Sequence, residues 1–216
     1  MGKLYLSGIV PKVTEPVNIA VGTIWLFTED GTFTVPKTGT YQVELHGGGG
    51  GAALHGHNSA QVSIAGGGGS GEVYSVEYTK GQVIDVTIGA GGAGKKADVN
   101  TSTTYVTGGT GGKTTFGDLS ITGGGGGTAY SVSSSTAKRD PVGGSKSGSL
   151  ASSGSTWSGV DFNETSVAAG GEGNTSNTAQ TYGDGGSGDG TSSLVSRWFA
   201  EDGKPGAVIV TFMGVR

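Results

Sequence analysis

Three histidines, His46, His55 and His57, are the only imidazoles in the 216 residues, and there is no cysteine. His55 and His57 form a His-x-His pair, the beginning of a metal site. Two imidazoles in a polar stretch fall short of a full ligand set, so they stand as weak candidates and no metal is expected. The run GGTGGKTTFGD places Gly112-Lys113-Thr114 in the order of a phosphate-cradling loop. That loop needs a further glycine at position 107, which is threonine, and a glycine tract running into a strand explains the same residues. Matches to GxGxxG arise by chance in such a composition. Asp161, Glu164, Asp184 and Asp189 have no spacing that fixes an acid/base pair. Asn100, Asn163 and Asn174 head glycosylation-type sequons, which carry little without an export signal. The chemistry on offer is contact chemistry: no catalytic constellation and no cofactor are expected.

The elements that must position these side chains are built from an unusual composition. Glycine supplies 47 of the residues, against a usual share of about 7%. Only 5 prolines accompany it without a strict three-residue period, which excludes collagen. So much glycine, serine and threonine also excludes a conventional helical enzyme. The net charge of −4 with scattered Lys and Arg offers no basic stripe for a nucleic acid. No long apolar run suits a membrane span. Residues 1–22 read as an attachment or lead-in segment, too interrupted by Lys3, Pro11, Lys12, Glu15 and Pro16 to be a secretory signal.

From residue 23 the pattern becomes β. TIWLFT, TFTV and TYQVELH alternate apolar and polar residues around turns at Glu29-Asp30-Gly31 and Pro36 to Gly39, and EVYSVEYTKGQVIDVTIG predicts a hairpin at Lys80-Gly81. Gly203-Lys204-Pro205-Gly206 reads as a turn into a last buried strand, 207–212. The expected nucleus is Trp25, Phe27, Phe33, Tyr41, Val43, Val73, Val76, Val83, Val86, Ile88, Phe116, Ile121, Val208, Val210 and Phe212.

Between these strands lie short glycine tracts at 47–51, 66–69, 89–94, 108–112, 123–127, 143–144, 170–173 and 183–190. A flexible linker would come as one block, whereas these are interleaved with strands. Packed rods of the polyproline-II type are therefore expected, with each amide and carbonyl bonded to a neighbouring rod because such a helix has no internal hydrogen bonds. The fold class is all-β plus polyglycine-II: a short antiparallel β unit with packed glycine rods and essentially no α-helix. Residues 23–216 form one glycine-rich domain.

The succession DGTFTVPKTGTYQVELHGGGGG, GGGGSGEVYSVEYTKGQVIDVTIGAGGAG, GGKTTFGDLSITGGGGG and GKPGAVIVTF resembles the glycine-rich domain of bacteriophage tail fibres over nearly the whole chain. In architecture the tracts are also similar to the polyglycine-II tail-fibre-tip adhesins of T-even-like phages, whose variable segments form distal loops that bind a bacterial surface receptor. The resemblance implies a non-enzymatic virion protein at the tail-fibre tip; the alternatives are a structural or ice-binding glycine-rich protein, which would present a flat Thr-bearing face, and a tail-associated polysaccharide depolymerase, which would present a carboxylate pair in a cleft. The tip protein would engage an outer-membrane protein or glycan and other tail-fibre proteins, as a monomer on a trimeric fibre or as a homotrimer. Contacts would then come from segments 52–65, 95–107, 128–142, 145–169, 174–182 and 191–202, with distal loops within about 128–202. Tyr105, Tyr130, Trp157, Phe162 and Tyr182 are their receptor-binding candidates, joined by Lys138 and Arg139 for an anionic glycan. Trp157 and Phe162 stand out because STWSGVDFNET lacks strand periodicity, whereas Trp198 and Phe199 read as a packed turn. The His55/His57 spacing resembles the iron-binding pattern of some trimeric phage fibres.

Overall fold

The computed structural model describes residues 5–7, 19–57, 60–64, 67–69, 71–97, 105–130, 156–159, 165–168, 174–175, 181–186, 188–191 and 198–215. Among them there is no helix, and the regular structure is β-strand in mostly antiparallel sheets. At one end two sheets enclose the apolar core. The first orders its strands Tyr5–Ser7, Ile24–Phe27, Ala207–Gly214, Gly39–His46, Gly71–Tyr78. The second orders them Leu119–Ile121, Thr114–Phe116, Val83–Thr87, Gly31–Thr34.

Period-two patterning places one side of each strand in the shared core. Tyr41, Val43 and Leu45 meet Val208, Val210 and Phe212 from the neighbouring strand, and the second sheet contributes Phe33, Ile84, Val86 and Phe116. Phe33 lies at the centre, its ring 5.3 Å from Trp25, 6.1 Å from Phe27, 6.0 Å from Tyr41 and 5.8 Å from Phe116. Alternation also corrects two expected core residues: Val73 and Val83 are exposed. They stand out of phase with Tyr74 and Tyr78, which pack against the core, and with buried Ile84 and Val86. Ile19 joins the core and Tyr5–Ser7 pairs in parallel with Ile24–Phe27, so parts of the lead-in complete the sandwich.

The expected hairpins are corrected as well. Ile24–Phe27 and Gly31–Thr34 lie in different sheets, as do Gly71–Tyr78 and Val83–Thr87. The turns exist, with Gly81 at φ 85°, but each carries the chain across the core. Phe27 and Phe33 consequently meet edge to face across the core, their rings 6.1 Å apart, and both are buried. Asp30 then ties its turn to the second sheet by accepting the Ile88 N–H at 2.7 Å. A true hairpin does form at Gly117-Asp118, between Thr114–Phe116 and Leu119–Ile121.

Three tyrosines couple this sandwich to pH. Burial raises Tyr41, opposed by its hydrogen bond to the Lys37 carbonyl, and burial followed by the Asp118 charge raises Tyr78. Burial, then the Glu72 hydrogen bond and charge, pushes Tyr74 from 10.0 up to about 12. The folded state thus favours the neutral phenols. Below pH 10.0 this contribution is fully present; above it the unfolded chain ionises first, and stability falls as pH rises through the folded values. Urea midpoints should be flat in this respect up to pH 10 and drop towards pH 12, with a shallower drop in Tyr74→Phe.

Beyond the sandwich the chain crosses a glycine layer at 47–52, 67–69, 89–94, 108–113, 122–127, 183–186 and 201–206. The segment 47–52 is central and wholly buried. Its amides bond outward with a repeat of three: Gly48 and Gly51 donate to Gly112 and Gly109, Gly49 and Ala52 to Lys204 and Glu201, and Gly50 to Gly67, at 2.8–3.1 Å. Its carbonyls repeat likewise: Gly48 and Gly51 accept from Gly124 and Gly127, Gly49 and Ala52 from Gly92 and Lys95, and Gly50 from Gly186, at 2.8–3.0 Å. Six different segments therefore surround one: four are met at two residues three apart, and those of Gly67 and Gly186 are each met once, through Gly50. One of the six is 201–206, so the expected turn at Gly203 to Gly206 is instead an extended member of the bundle.

The same period sorts the side chains of the outer segments. Gly89 and Gly92 are buried while Ala90 and Ala93 are exposed; Gly108 and Gly111 are buried while Thr110 and Lys113 are exposed; Gly203 and Gly206 are buried while Lys204 and Pro205 are exposed. Outward corners accept side chains and inward ones do not.

Candidate functional site

Each outer segment leaves the sandwich and ends in a second layer of strands at the far end of the bundle. There a four-stranded sheet orders Thr156–Gly159, Ala60–Ile64, Ala53–His57, Lys95–Ala97, a three-stranded sheet orders Thr165–Ala168, Gly188–Thr191, Trp198–Ala200, and Tyr105–Thr107 pairs with Thr128–Tyr130. A small apolar contact of Ala53, Ala129 and Val106 joins two of these sheets. The Gly94 N–H donates to Asp202 Oδ1 at 2.6 Å and ties two rod ends together. The far layer is thus joined to the glycine bundle by main-chain continuity and by this bond.

Several candidate residues converge on this layer. Tyr105 and Tyr130 are directly opposed in register, beside the paired hydroxyls of Thr107 and Thr128, 3.1 Å apart. Trp157 lies in a strand rather than a free loop, opposite Ser63 and in the same row as Leu54 and Lys96. Pairing with Ala60–Ile64 supplies the order that its own sequence pattern does not announce. His55 and His57 stand two positions apart in Ala53–His57, opposite Val62 and Ala60. Trp198 and Phe199 belong to a strand paired with Gly188–Thr191, not to a packed turn. Lys138, Arg139 and Phe162 lie outside the described residues, as do the glycines at 143–144 and 170–173.

Tyr182 is set apart from the others. It sits in the short pair Asn174–Thr175 with Thr181–Tyr182, half-buried, its ring 5.3 Å from His46 at the sandwich end of the bundle. His46 is fully buried and its Nε2 is 2.8 Å from Glu44 Oε1, while its Nδ1 has no hydrogen-bond partner. The His46 carbonyl accepts from Thr114 Oγ1, which in turn accepts the Gly89 N–H. This polar cluster ties the end of strand Gly39–His46 to Thr114 and to Gly89, the first glycine of an outer segment, and Tyr182 packs against its imidazole.

Sequence reasoning passed over two features of the far layer. Lys95 and Lys96 are exposed there, near exposed Glu201 and Asp202, giving the layer charge of both signs. The second is its strand content, for which a signal was present: Asn58-Ser59 separates ALHGH from AQVSI as a short turn separates two strands. Among the described residues no group of three or more His, Asp or Glu is placed to hold a metal ion. The far layer thus brings Tyr105, Tyr130 and Trp157 into strands beside the Thr107 and Thr128 hydroxyls and the exposed Lys95 and Lys96. A family model described as a glycine-rich domain matches residues 28–213. No curated protein matches the chain.

Proposed function

The chain belongs to the glycine-rich domain family, and from that premise we propose that it is a bacteriophage tail-fibre or tail-tip adhesin whose glycine segments are polyglycine-II rods. The observation that carries this reading is the arrangement of six segments around one, four of them bonded to it through the backbone with a repeat of three, beside a separate strand layer that holds Tyr105, Tyr130 and Trp157. Lateral main-chain bonds keep the support independent of the residues between the rods, so the far layer and the segments 128–202 can change without altering what holds them. Flat aromatic faces suit sugar rings and the loops of outer-membrane proteins. Individual contacts are modest, and simultaneous engagement of many copies on one virion multiplies them. The partners are a bacterial outer-membrane protein or glycan at the far end and other tail-fibre proteins at the sandwich end.

Adsorption of the purified, fluorescently labelled protein to bacterial cells tests the reading. Saturable binding that blocks phage attachment supports it. Absence of binding to any host strain, with polysaccharide cleavage or thermal hysteresis in its place, sinks it. Exchanging residues 145–169 for those of another phage should change host range.

A further inference from the structure

Among the described residues, the larger sheet of the sandwich has strand Tyr5–Ser7 at one side and strand Gly71–Tyr78 at the other. Tyr5–Ser7 runs parallel to Ile24–Phe27, and three antiparallel pairings then separate Ile24–Phe27 from Gly71–Tyr78, so the two end strands run in opposite directions. Residue levels carry across the sheet through the same pairings. Tyr5 is level with Ile24, Thr211, Gln42 and Ser75, and Ser7 with Leu26, Ile209, Glu44 and Val73. A second copy rotated about an axis along the strands would therefore lay its Tyr5–Ser7 antiparallel to Gly71–Tyr78, with Ser7 beside Val73 and no translation needed.

The outer face of the same sheet carries an apolar patch that reaches the edge strand at Val73. Among the described residues the exposed large hydrophobics are Val21, Val73, Val83, Met213 and Val215. Val73 (51% exposed), Met213 (47%) and Val215 (62%) line one groove of about 380 Å³ with Thr40, Gln42 and Ser75. Val21 lies against Gly214 at the rim of that groove. Clustering of this kind marks an interaction surface, whereas scattered exposed hydrophobics do not. The charges match too: Gly71–Tyr78 carries Glu72 and Glu77 and no base, while residues 1–7 carry Lys3 and no acid.

We infer that the Gly71–Tyr78 edge receives the N-terminal strand of a second copy of this chain, laid beside Val73 at the border of the outer-face groove. Strand addition extends the sheet from one copy to the next. The contact joins two different surfaces, and with no translation along the strands its repetition gives a ring where the rotation per copy divides a full turn. This association lies at the sandwich end and is independent of what the far layer binds.

Because the chain has no cysteine, introduced thiols test the register directly. Ser7→Cys chains mixed with Val73→Cys chains under mild oxidation should give disulfide-linked heterodimers, because opposed strand residues lie within reach of a disulfide. Neither variant should link to itself. Sedimentation velocity of the unmodified protein should show a closed oligomer, and Val73→Glu, at an exposed position, should reduce it to monomer with an unchanged circular dichroism spectrum. A monomeric wild type at its highest soluble concentration, an oligomer that survives Val73→Glu, or preferential self-linking of Val73→Cys would each overturn the inference.

Discussion

Gly50→Ala should leave no stably folded protein. A Cβ built on Gly50 would sit 2.0 Å from the Gly125 carbonyl oxygen and 2.4 Å from its carbon. Both are backbone atoms, so no side chain can swing aside. The φ of Gly50 lies outside the left-handed region, and its conformation is one that alanine adopts freely. The obstacle is space alone. Separating the two segments by the required ångström or more would stretch the bonds of 47–52 to its other neighbours, each worth about 0.5–1.5 kcal/mol, and overpacking itself costs about 1–3 kcal/mol. Together these approach the roughly 5–15 kcal/mol that holds a typical domain folded. Gly31→Ala is the matched control. Nothing lies within 4 Å of its Cβ position and its φ is ordinary, so alanine there should be neutral or stabilising by up to about 1 kcal/mol. Soluble yield, circular dichroism and urea unfolding of the two variants measure the contrast. A Gly50→Ala protein as stable as Gly31→Ala would mean that the rods are not close-packed.

Phe33→Ala should cost about 3–5 kcal/mol, the range for removing a large aromatic side chain from a core. Phe33 is fully buried and touches rings from both sheets: Trp25, Phe27 and Tyr41 on one, Phe116 on the other. No neighbour can collapse into the space without leaving its own ring contact, so the cavity should persist. For a chain of this length such a loss lowers Tm by roughly 10 °C. Differential scanning calorimetry would show it, with Phe33→Leu intermediate. A shift below a few degrees would mean that the sandwich core does not govern global unfolding and that the glycine bundle unfolds separately.

Strand alternation and glycine tracts carry different kinds of information, and that difference sets what the sequence alone can show. The strands around Tyr41, Val43 and Val210 announce themselves by period two, because one face must be apolar and the other need not be. Which sheet each strand joins is not written in that pattern. Phe27 and Phe33 look alike whether their strands pair side by side or face each other across a core, and Asp-Gly serves a hairpin or a crossing equally well. Val73 and Val83 were misplaced for a related reason. A valine is apolar at any position, and its phase against Tyr74 or Ile84 decides its fate. In the candidate site, Tyr105 and Tyr130 were legible as large side chains among small ones. Their direct opposition, and the bracing of His46 by Tyr182 at the other end of the bundle, depend on pairings between residues far apart in the chain.

By itself the sequence determined that this protein is β-rich, that its glycine is distributed as short tracts between strands, and that large side chains are confined to the segments between them. Local sterics and solvation are enough for that: alternation demands a sheet, and repeated glycine removes the side chains that would keep backbones apart. Only the tertiary structure decided that 47–52 is the hub, that 201–206 is a rod and not a turn, and which glycines cannot be replaced. An isolated polyproline-II-type segment has no internal bond to set its place. Each amide must find a carbonyl on another segment, so the identity of that partner exists only once the segments are assembled.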